Sequence, residues 1–583
     1  MTSSPLDVVP AVIDSRRLMG PNLYSDRMGA ALEVLVEPRG AAELFSAWMR
    51  HARALALALG WPEPERLVRP QRGGASLFLS APADQLMTAT EVTEQAWALA
   101  ESAPSGGDAM AAAVARLAPM AVAERRAHSN FAEVRAAAVE RGVSATFDDE
   151  WFTVGSGRGS RRWPLAGIPG PDDLPWSEIS DARIALVTGS NGKTTTTRLV
   201  AAMARASGGS PGWCCSDGVW IGDAQVEQGD FSGPIGARRV LRAPEVDVAI
   251  LESARGGMLR RGLAVSRADA AIITNIAEDH FGEYGIESLD DLISAKRIVE
   301  HALSADGCLV LNADDPLLLA VAGRTALRVA LFSASPTHGE LNAHVERGGD
   351  AAVVRDEGTI LLRRDAAWHD LGRVDDMPLT MHGAAPHNIQ NILGAALLAS
   401  QLGATIDGIR SALATFGASN RDNPGRLQRY GFGGITVLVD YAHNPDGLAA
   451  LCETARSMPA ARRLLLLGQA GNRDDEEIRD LARVAMRLLP FDHVIIKEEL
   501  KLLRGRREGD VPRILRDELD RLGVPSERVE TTRDELLAMR RAFAWARAGD
   551  LLVCPIHVDK TEVIEWLGRV AVAGWIPGAA VPD

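Results

Sequence analysis

The sequence has few cysteines, and they form no metal-binding or disulfide pattern. The five cysteines among 583 residues, at positions 214, 215, 308, 452 and 554, include no Cys-x-x-Cys pair and no Cys/His metal spacing. Such sparse usage is typical of a reducing compartment. We therefore expect free thiols and a cytoplasmic protein.

Long hydrophobic runs are also lacking. The longest, such as RLLLLG and DLLVCPI, are far shorter than the roughly 20 apolar residues with which a helix crosses a bilayer. The first residues, MTSSPLDVVPAVIDSRR, do not show the basic-then-apolar order of a secretory signal. We therefore expect no membrane partner.

Positive charge is under-represented, because the formal net charge is −14. Nucleic-acid binding needs a basic surface that contacts phosphates, so we expect no nucleic-acid partner. The arginine clusters RGSRR (158–162) and RGRR (504–507) are local exceptions, and such clusters are more often solvated faces than docking sites. The sequence does not determine the oligomeric state, and a homo-oligomer is compatible with it.

The length of the chain exceeds what one hydrophobic core normally organises, so several domains are expected. The first predicted domain, 1–175, combines a strand in AALEVLVE with Ala-rich helical stretches at 41–59 and 108–140. It is therefore predicted to be an α+β domain. A turn-rich link, GIPGPDDLPWSEISD (167–181), closes it.

The rest of the chain alternates apolar strand-like runs with helical segments. Residues 176–415 contain ARIALVTG, VDVAILES, ADAAIITNI and GCLVLNADD, and end in a helix over 387–403. Such runs between helices indicate a parallel sheet covered on both faces. Residues 416–583 repeat the pattern on a smaller scale, with GITVLVDYAHN, RLLLLGQAGN, DHVIIKEE and DLLVCPIHV. The predicted fold class is α/β, with a central P-loop domain and a smaller Rossmann-like C-terminal domain.

The stretch VTGSNGKTTTTRL (187–199) lies between a predicted strand and a predicted helix. Backbone N–H groups at a helix start bind anionic oxygens, and a lysine adds charge at the outer phosphates. The common phosphate loop has a glycine six residues before its lysine, where this chain has Val187, so the turn is unusually short. The residues predicted to bind the nucleotide here are Gly189, Asn191, Gly192, Lys193, Thr194 and Thr195.

Polar residues follow two further predicted strands, which suggests a metal site. Glu252 ends the strand VDVAILE, and Asn275, Glu278, Asp279 and His280 follow the next one. Parallel strands present their carboxyl ends to a ligand at one edge of the sheet. A Thr194 hydroxyl is also suited to complete a Mg²⁺ shell. Lys296, on a predicted helix, reads in isolation as a surface residue.

These motifs in combination resemble those of the Mur ligases, an ATP-dependent amide-forming family that includes folylpolyglutamate synthase and cyanophycin synthetase. The resemblance covers about 180–560 and includes the compact turn TGSNGKTT. It implies that Thr194, Glu252 and His280 bind Mg²⁺. Lys296 matches a lysine that many members carbamoylate, which would hold a second Mg²⁺. Lys193, His280 and Lys296 are thereby the implied catalytic residues.

The resemblance continues through three later motifs. HNIQN matches the family's HNxxN, which implies that Asn391 contacts adenine. GRLQ and DYAHNPDG match the start of the C-terminal domain. They imply that Arg426 lies on the phosphates and Asp440 near the ribose or base. His443 has the alternative interpretation of a simple turn residue.

Within the family, the chain most resembles the ligase part of cyanophycin synthetases. SARGGMLRRGL and KEELKLLRGRREGD carry that likeness, and RRLMGPNLY (16–24) resembles their N-terminal domain. Those enzymes carry an ATP-grasp domain between the two parts, where this chain has only the link at 167–181. The resemblance thus implies one ligase centre and no synthesis of an aspartate backbone. GNRDD departs from the group's usual GDRRD and leaves the amine open.

The leading functional prediction is an ATP-dependent carboxylate–amine ligase acting through an acyl phosphate on an amino acid or acidic, aspartyl-type peptide. The alternatives are a P-loop kinase or regulatory NTPase, and a nucleotide-binding module without catalysis. For the amine, Arg504, Arg506 and Arg507 are suited to hold an anionic substrate. Ion pairs with neighbouring glutamates, Glu498, Glu499 and Glu508, are the more ordinary interpretation.

Overall fold

A computed structural model of the protein describes residues 10–102, 107–278 and 281–582. The chain separates into two compact units. The first extends through Val353 and includes Leu361–His369 and Leu393–Ser411; the second comprises Val354–Ile360, Asp370–Ile392 and the segment from Ala412 onward. None of the helices in these described ranges is long and apolar enough to cross a bilayer.

The N-terminal region is built on an antiparallel sheet with strand order β1-β2-β4-β3, and the short strands β5, β6 and β7 form a second antiparallel sheet. Its elements are β1 Ala11–Leu18, β2 Gly29–Leu35, α1 Ala41–Ala58, β3 Arg66–Gln71, β4 Gly74–Ser80, α2 Leu86–Glu101, α3 Gly107–Ala127, α4 Phe131–Glu140, β5 Ala145–Phe147, β6 Trp151–Val154 and β7 Arg161–Pro164. The α+β prediction is confirmed. Asn130, with a positive φ of 62°, separates α3 from α4 inside the stretch predicted as helical.

The central region begins a large mixed sheet whose middle strands are parallel and whose apolar residues are buried on both faces. Its elements are β8 Arg183–Thr188, α5 Lys193–Ala206, β9 Pro211–Cys215, β10 Gly218–Ile221, β11 Ala224–Gln228, α6 Pro234–Leu241, β12 Val248–Glu252, α7 Arg255–Arg261, β13 Ala268–Ile273, α8 Leu289–Lys296, β14 Leu303–Asn312, α9 Pro316–Ala322, β15 Arg328–Ser333, α10 Gly339–Glu346, β16 Ala351–Val354, β17 Thr359–Arg364, β18 Ala367–Arg373, α11 Pro386–Gln401 and α12 Ile406–Thr415. The strand order is β11-β10-β9-β12-β8-β13-β14-β15-β16-β17-β18. An antiparallel hairpin, β10 and β11, extends one edge and was not predicted.

The C-terminal region is a smaller sheet of order β19-β20-β24-β21-β22-β23, parallel except for β19. Its elements are β19 Gln428–Phe432, β20 Ile435–Asp440, α13 Pro445–Ser457, β21 Arg463–Leu467, α14 Asp475–Leu488, β22 His493–Lys497, α15 Asp510–Arg521, β23 Val529–Thr532, α16 Glu535–Trp545, β24 Leu551–Pro555 and α17 Lys560–Val572. Separate apolar clusters cover its two faces.

The N-terminal and central regions are joined by close backbone contacts within the first unit. Met19 N donates to Arg261 O (2.8 Å), and Leu263 N donates to Pro21 O (2.8 Å). A Cβ at Gly20 would lie 2.1 Å from Leu263 O, so only glycine fits there. The RRLMGPNLY stretch therefore docks the N-terminal sheet on the helix that follows Glu252.

The predicted strands of the central and C-terminal regions are confirmed as β8, β12, β13, β14, β20, β21, β22 and β24. All five cysteines are buried free thiols. The division into three domains at 1–175, 176–415 and 416–583 stays a prediction.

Candidate active site

The turn between β8 and α5 has the backbone geometry of a phosphate cradle. Gly189 has a φ of 143° and Gly192 a φ of 83°, conformations that side-chain-bearing residues rarely adopt. A Cβ on Gly189 would lie 1.9 Å from Thr274 Oγ1. The two glycines let the chain turn tightly into α5, so that the first N–H groups of this helix are suited to bind an anion.

Residues just after β13 hold this turn in place. Asn191 N donates to Asn275 Oδ1 (2.8 Å), and Thr274 Oγ1 donates to Asn191 O (2.6 Å). Ser190 N donates to Asn275 O (3.0 Å). The scaffold consists of uncharged groups from a neighbouring strand end. Sequence reasoning placed Asn275 in a polar cluster but missed Thr274, because nothing in its local sequence marks it.

Lys193 opens α5 and folds back over the turn. Its Nζ donates to the carbonyl oxygens of Gly189 (3.0 Å) and Ser190 (2.8 Å). These bonds hold the ammonium beside the N-terminus of the helix, where the helix dipole also favours an anion. Thr195, in the same first turn, is buried.

Thr194 and Glu252 are brought together across two neighbouring strands. Thr194 Oγ1 donates to Glu252 Oε2 (2.9 Å) and lies 3.1 Å from Ser216 Oγ. Glu252 is only 2% exposed, and a buried carboxylate is costly without a partner or a cation. Hydroxyl and carboxylate oxygens are the ligands Mg²⁺ prefers, so the pair fits such an ion. Sequence reasoning missed Ser216, which follows β9.

The second predicted metal position is described only in part. Lys296 is the last residue of α8 and is 3% exposed, so its interpretation as a surface residue is wrong. Glu278 is exposed. Asp279 and His280 lie outside the described residues. The assignment of His280 and Lys296 to a second ion stays a prediction.

In the second unit, Asn391 and its neighbours form a hydrogen-bonded chain at the start of α11. Asn391 Nδ2 donates to Asn388 Oδ1 (3.0 Å), and Asn388 Nδ2 donates to Leu379 O (3.0 Å). Burial lowers the pKa of the adjacent His387 to about 4. Leu379 also lines a cavity of about 460 Å³ that borders Arg426.

Arg426 and Asp440 adjoin at the start of the C-terminal sheet. The Arg426 guanidinium lies 4.4 Å from the ring centroid of Tyr441, a cation–π contact. Asp440 Oδ2 accepts a hydrogen bond from Leu427 N (2.6 Å). Burial raises the pKa of Asp440, and the positive charge of Arg426 opposes this shift only in part. The ring of Tyr441, inside DYAHN, is a contribution that sequence reasoning missed.

His443 shows turn contacts: its Nδ1 lies 3.1 Å from Tyr441 O, and its carbonyl accepts from Gln469 Nε2 (2.9 Å).

Arg506 of the RGRR cluster pairs with a residue other than the neighbouring glutamates, and a substrate role of the three arginines stays a prediction. Arg506 donates to the carbonyl oxygens of Gly471 (2.9 Å) and Arg473 (2.6 Å) and pairs with Asp475 (2.8 Å). It therefore fixes the GNRDD loop. Arg504 is exposed.

Comparisons with known proteins agree with this geometry. Residues 187–399 match the Mur ligase middle domain, and residues 425–555 match the Mur ligase, glutamate ligase domain. The chain is 38% identical to a cyanophycin synthetase of Trichormus variabilis over 67% of its own length and 44% of that protein's. The chain thus spans less than half the length of the cyanophycin synthetases it matches.

Other relatives are shorter. The chain is 28% identical to a UDP-N-acetylmuramoyl-L-alanyl-D-glutamate–2,6-diaminopimelate ligase of Chlorobaculum tepidum, over 66% of this chain and 76% of that protein. Among solved structures it is similar to a pseudomurein peptide ligase type C from Methanothermus fervidus, with 17% identity, coverage of 67% and 82%, and a TM-score of 0.47. The match to the Mur ligase middle domain is followed along the same chain by the match to the glutamate ligase domain. The protein therefore belongs to the Mur ligase family.

Proposed function

We propose that the protein is an ATP-dependent carboxylate–amine ligase acting on an amino acid or a short acidic peptide of aspartyl type. The observation that carries this proposal is the hydrogen bond between Thr194 and Glu252 beside a turn shaped for phosphate. A kinase would use the same turn, but the matched glutamate ligase domain favours a ligase. The names of the relatives, which are cyanophycin synthetases and peptide ligases, support the same class.

The central region would bind the triphosphate and orient the acceptor acid. Lys193 and the N–H groups of the 189–195 turn other than those of Ser190 and Asn191, which donate to Asn275, would hold the β- and γ-phosphates. Thr194 and Glu252 would hold a first Mg²⁺, and His280 with a carbamoylated Lys296 would hold a second. Bound Mg²⁺ would supply positive charge that offsets the repulsion between the acceptor carboxylate and the triphosphate.

The reaction proceeds in two steps. A carboxylate oxygen of the acid attacks the γ-phosphorus of ATP, the bond to the β-phosphate oxygen breaks, and an acyl phosphate and ADP form. The amine nitrogen then attacks the acyl carbon, phosphate leaves with the former carboxylate oxygen, and the nitrogen loses a proton. Positioning and charge neutralisation, which this edge of the sheet supplies, are what the first step requires.

Three residues of the second unit are also proposed to contact the nucleotide. Arg426 would contact the phosphates, Asp440 the ribose or base, and Asn391 the adenine. The cavity beside Arg426, of about 460 Å³, has the size of small-molecule sites in proteins.

A substrate screen tests the proposal. Amino acids and aspartyl peptides are supplied pairwise with MgATP, phosphate release is measured, and products are identified by mass spectrometry. We expect phosphate release that requires both an acid and an amine, with an amide product. A stable phosphorylated product formed without any amine would identify a kinase and contradict the proposal.

A further inference from the structure

Four ionisable side chains are buried together at the carboxyl edge of the C-terminal sheet. This buried-charge cluster consists of Lys497, Glu499, Glu535 and His557, whose side chains are 0%, 1%, 1% and 3% exposed. Lys497 ends β22, Glu535 begins α16, and His557 follows β24. Fully buried charges are expensive unless each is paired, so the arrangement calls for an explanation.

The cluster is satisfied from within. Lys497 Nζ bonds to Glu535 Oε1 and lies 3.3 Å from both Glu499 Oε1 and His557 Nδ1. His557 Nδ1 also bonds to Glu499. Although Glu499, Glu535 and His557 lie close enough to hold a metal ion, the lysine ammonium takes the cation's place among the two carboxylates. Lys497 thus supplies the positive charge that a metal ion would otherwise bring to these carboxylates.

The positive charges of the cluster also lower the pKa values of its two carboxylates. Burial by itself would raise the pKa of Glu499, but the charges of His557 and Lys497 lower it to about 2. Burial by itself would also raise the pKa of Glu535, but the charges of Lys497 and His557 lower it. Both carboxylates are thus held ionised.

Two sets of hydrogen bonds lead out of the cluster. Glu535 accepts from the backbone N–H groups of His557 (2.6 Å), Val558 (2.9 Å) and Asp559 (2.7 Å), which fixes the loop after β24. His557 Nε2 lies 2.9 Å from the carbonyl oxygen of Ala442. Since a carbonyl only accepts, this nitrogen donates the hydrogen bond. The bond ties Ala442, and with it the DYAHN segment, to the cluster.

The fixed loop also touches the surroundings of Arg426. The imidazole of His557 packs edge-on against the ring of Tyr441 at 5.5 Å, and the Arg426 guanidinium lies over that same ring. Lys560, at the end of the loop, packs so closely on Gly425 that a Cβ there would lie 2.4 Å from its Cδ. The residue before Arg426 and the ring beneath it are therefore both supported by the 557–560 loop.

We propose that the buried-charge cluster positions the Arg426 guanidinium, and that His557 links the cluster to Arg426 through the ring of Tyr441. Without the cluster, the DYAHN segment would lose the hydrogen bond at Ala442 and the Tyr441 ring would lose its contact with His557, so the guanidinium would be held less firmly. The inference rests on the proposed contact between Arg426 and the phosphates of the nucleotide, and it assigns His557 no contact with substrate.

A double-mutant cycle on the full chain tests this link, with MgATP binding measured by calorimetry. We expect Arg426→Ala to weaken binding about tenfold and His557→Leu about fivefold, which are ordinary magnitudes for a charged contact and for its support. Because both changes break one link, we expect the double variant to bind as weakly as Arg426→Ala alone. His557→Gln, which retains a donor for Ala442, should recover most of the affinity.

A matched control is His493→Leu. His493 begins the strand that Lys497 ends and stacks on Trp545, so the same substitution at the opposite edge of the sheet should leave MgATP affinity unchanged. If His557→Leu does not fold, as judged by near-UV circular dichroism, Tyr441→Leu takes its place in the cycle.

The outcomes separate the inference from the function on which it rests. Additive losses in the cycle, or wild-type affinity of His557→Leu, would overturn the positioning role while Arg426 keeps its own. Unchanged binding by Arg426→Ala would overturn the nucleotide contact of Arg426 and the inference with it.

Discussion

The phosphate turn of the central region and the buried-charge cluster of the C-terminal region both lie at the carboxyl edge of a parallel sheet, but different forces hold them. Neutral groups of Thr274 and Asn275 fix the turn. Ion pairs among side chains that are almost fully buried fix the cluster.

This difference matches two different tasks. Hydrogen bonds between neutral groups hold a backbone in shape with little desolvation cost, so N–H groups of the turn remain suited to bind an anion. In the cluster, cations and carboxylates neutralise one another, which favours orientation over ligand binding. The turn is therefore suited to ligand binding, and the cluster is suited to support.

The largest expected effect is on the ligand-binding side of this comparison. Lys193→Ala should reduce ATP turnover by about a thousandfold or more, because it removes the cation that we propose to lie at the transferred phosphoryl group. Steady-state phosphate release measures the change. Arg205→Ala, in the exposed last turn of the same helix, is the matched control and should retain full activity. Full activity in Lys193→Ala would remove the cradle assignment.

Substitution of the two buried lysines, Lys296 and Lys497, tests the difference between ligand binding and support. Lys296→Ala should lose activity about a hundredfold, and short carboxylates such as formate or acetate should restore part of it if a carbamate normally supplies the carboxylate. Lys497→Ala should also lose activity, through loss of positioning, but no carboxylate should restore it. Turnover with and without added acid distinguishes the two. Wild-type rates in Lys296→Ala would exclude it from a second metal site.

A smaller effect is expected from the backbone of the turn. Gly189→Ala places a methyl group against Thr274 Oγ1 at a φ of 143°, so we expect a loss of about 1–3 kcal/mol in unfolding free energy. MgATP binding should weaken as well. Gly339→Ala, at an open helix start, should change neither. Urea unfolding and calorimetry measure both quantities, and a fully stable Gly189→Ala with normal binding would contradict the described turn.

A pH dependence of the cluster is also expected. The pKa of Glu499 falls from 4.5 to about 2 on folding, so its ionised form stabilises the fold above the unfolded pKa. That contribution is lost as the pH falls through the folded pKa. Glu499→Gln should therefore be less stable than wild type at about pH 5, and the gap should narrow towards about pH 2. A gap that is constant or widens over that range would show that the Glu499 charge does not stabilise the cluster.

The sequence predicted what local patterns encode. A strand, a glycine turn and Gly-Lys-Thr predict the tight turn before α5, and apolar strands ending in Glu252 and Asp440 predict the carboxyl edges of the two sheets. The scaffold at Thr274, the hydroxyl of Ser216 and the docking at Gly20 were missed, since each depends on a contact between distant segments. The buried-charge cluster was missed for the same reason. Its members stand on three separate segments, around Lys497 and Glu499, at Glu535 and at His557, and each resembles an ordinary surface charge.

The most direct test of the central claim follows the oxygen of the acceptor carboxylate. Once the screen has identified a substrate pair, the acid is labelled with heavy oxygen in its carboxyl group, and the released phosphate is examined by mass spectrometry. The account predicts that one labelled oxygen appears in each phosphate, because the carboxylate attacks phosphorus. Phosphate without label would contradict activation of the acid by ATP.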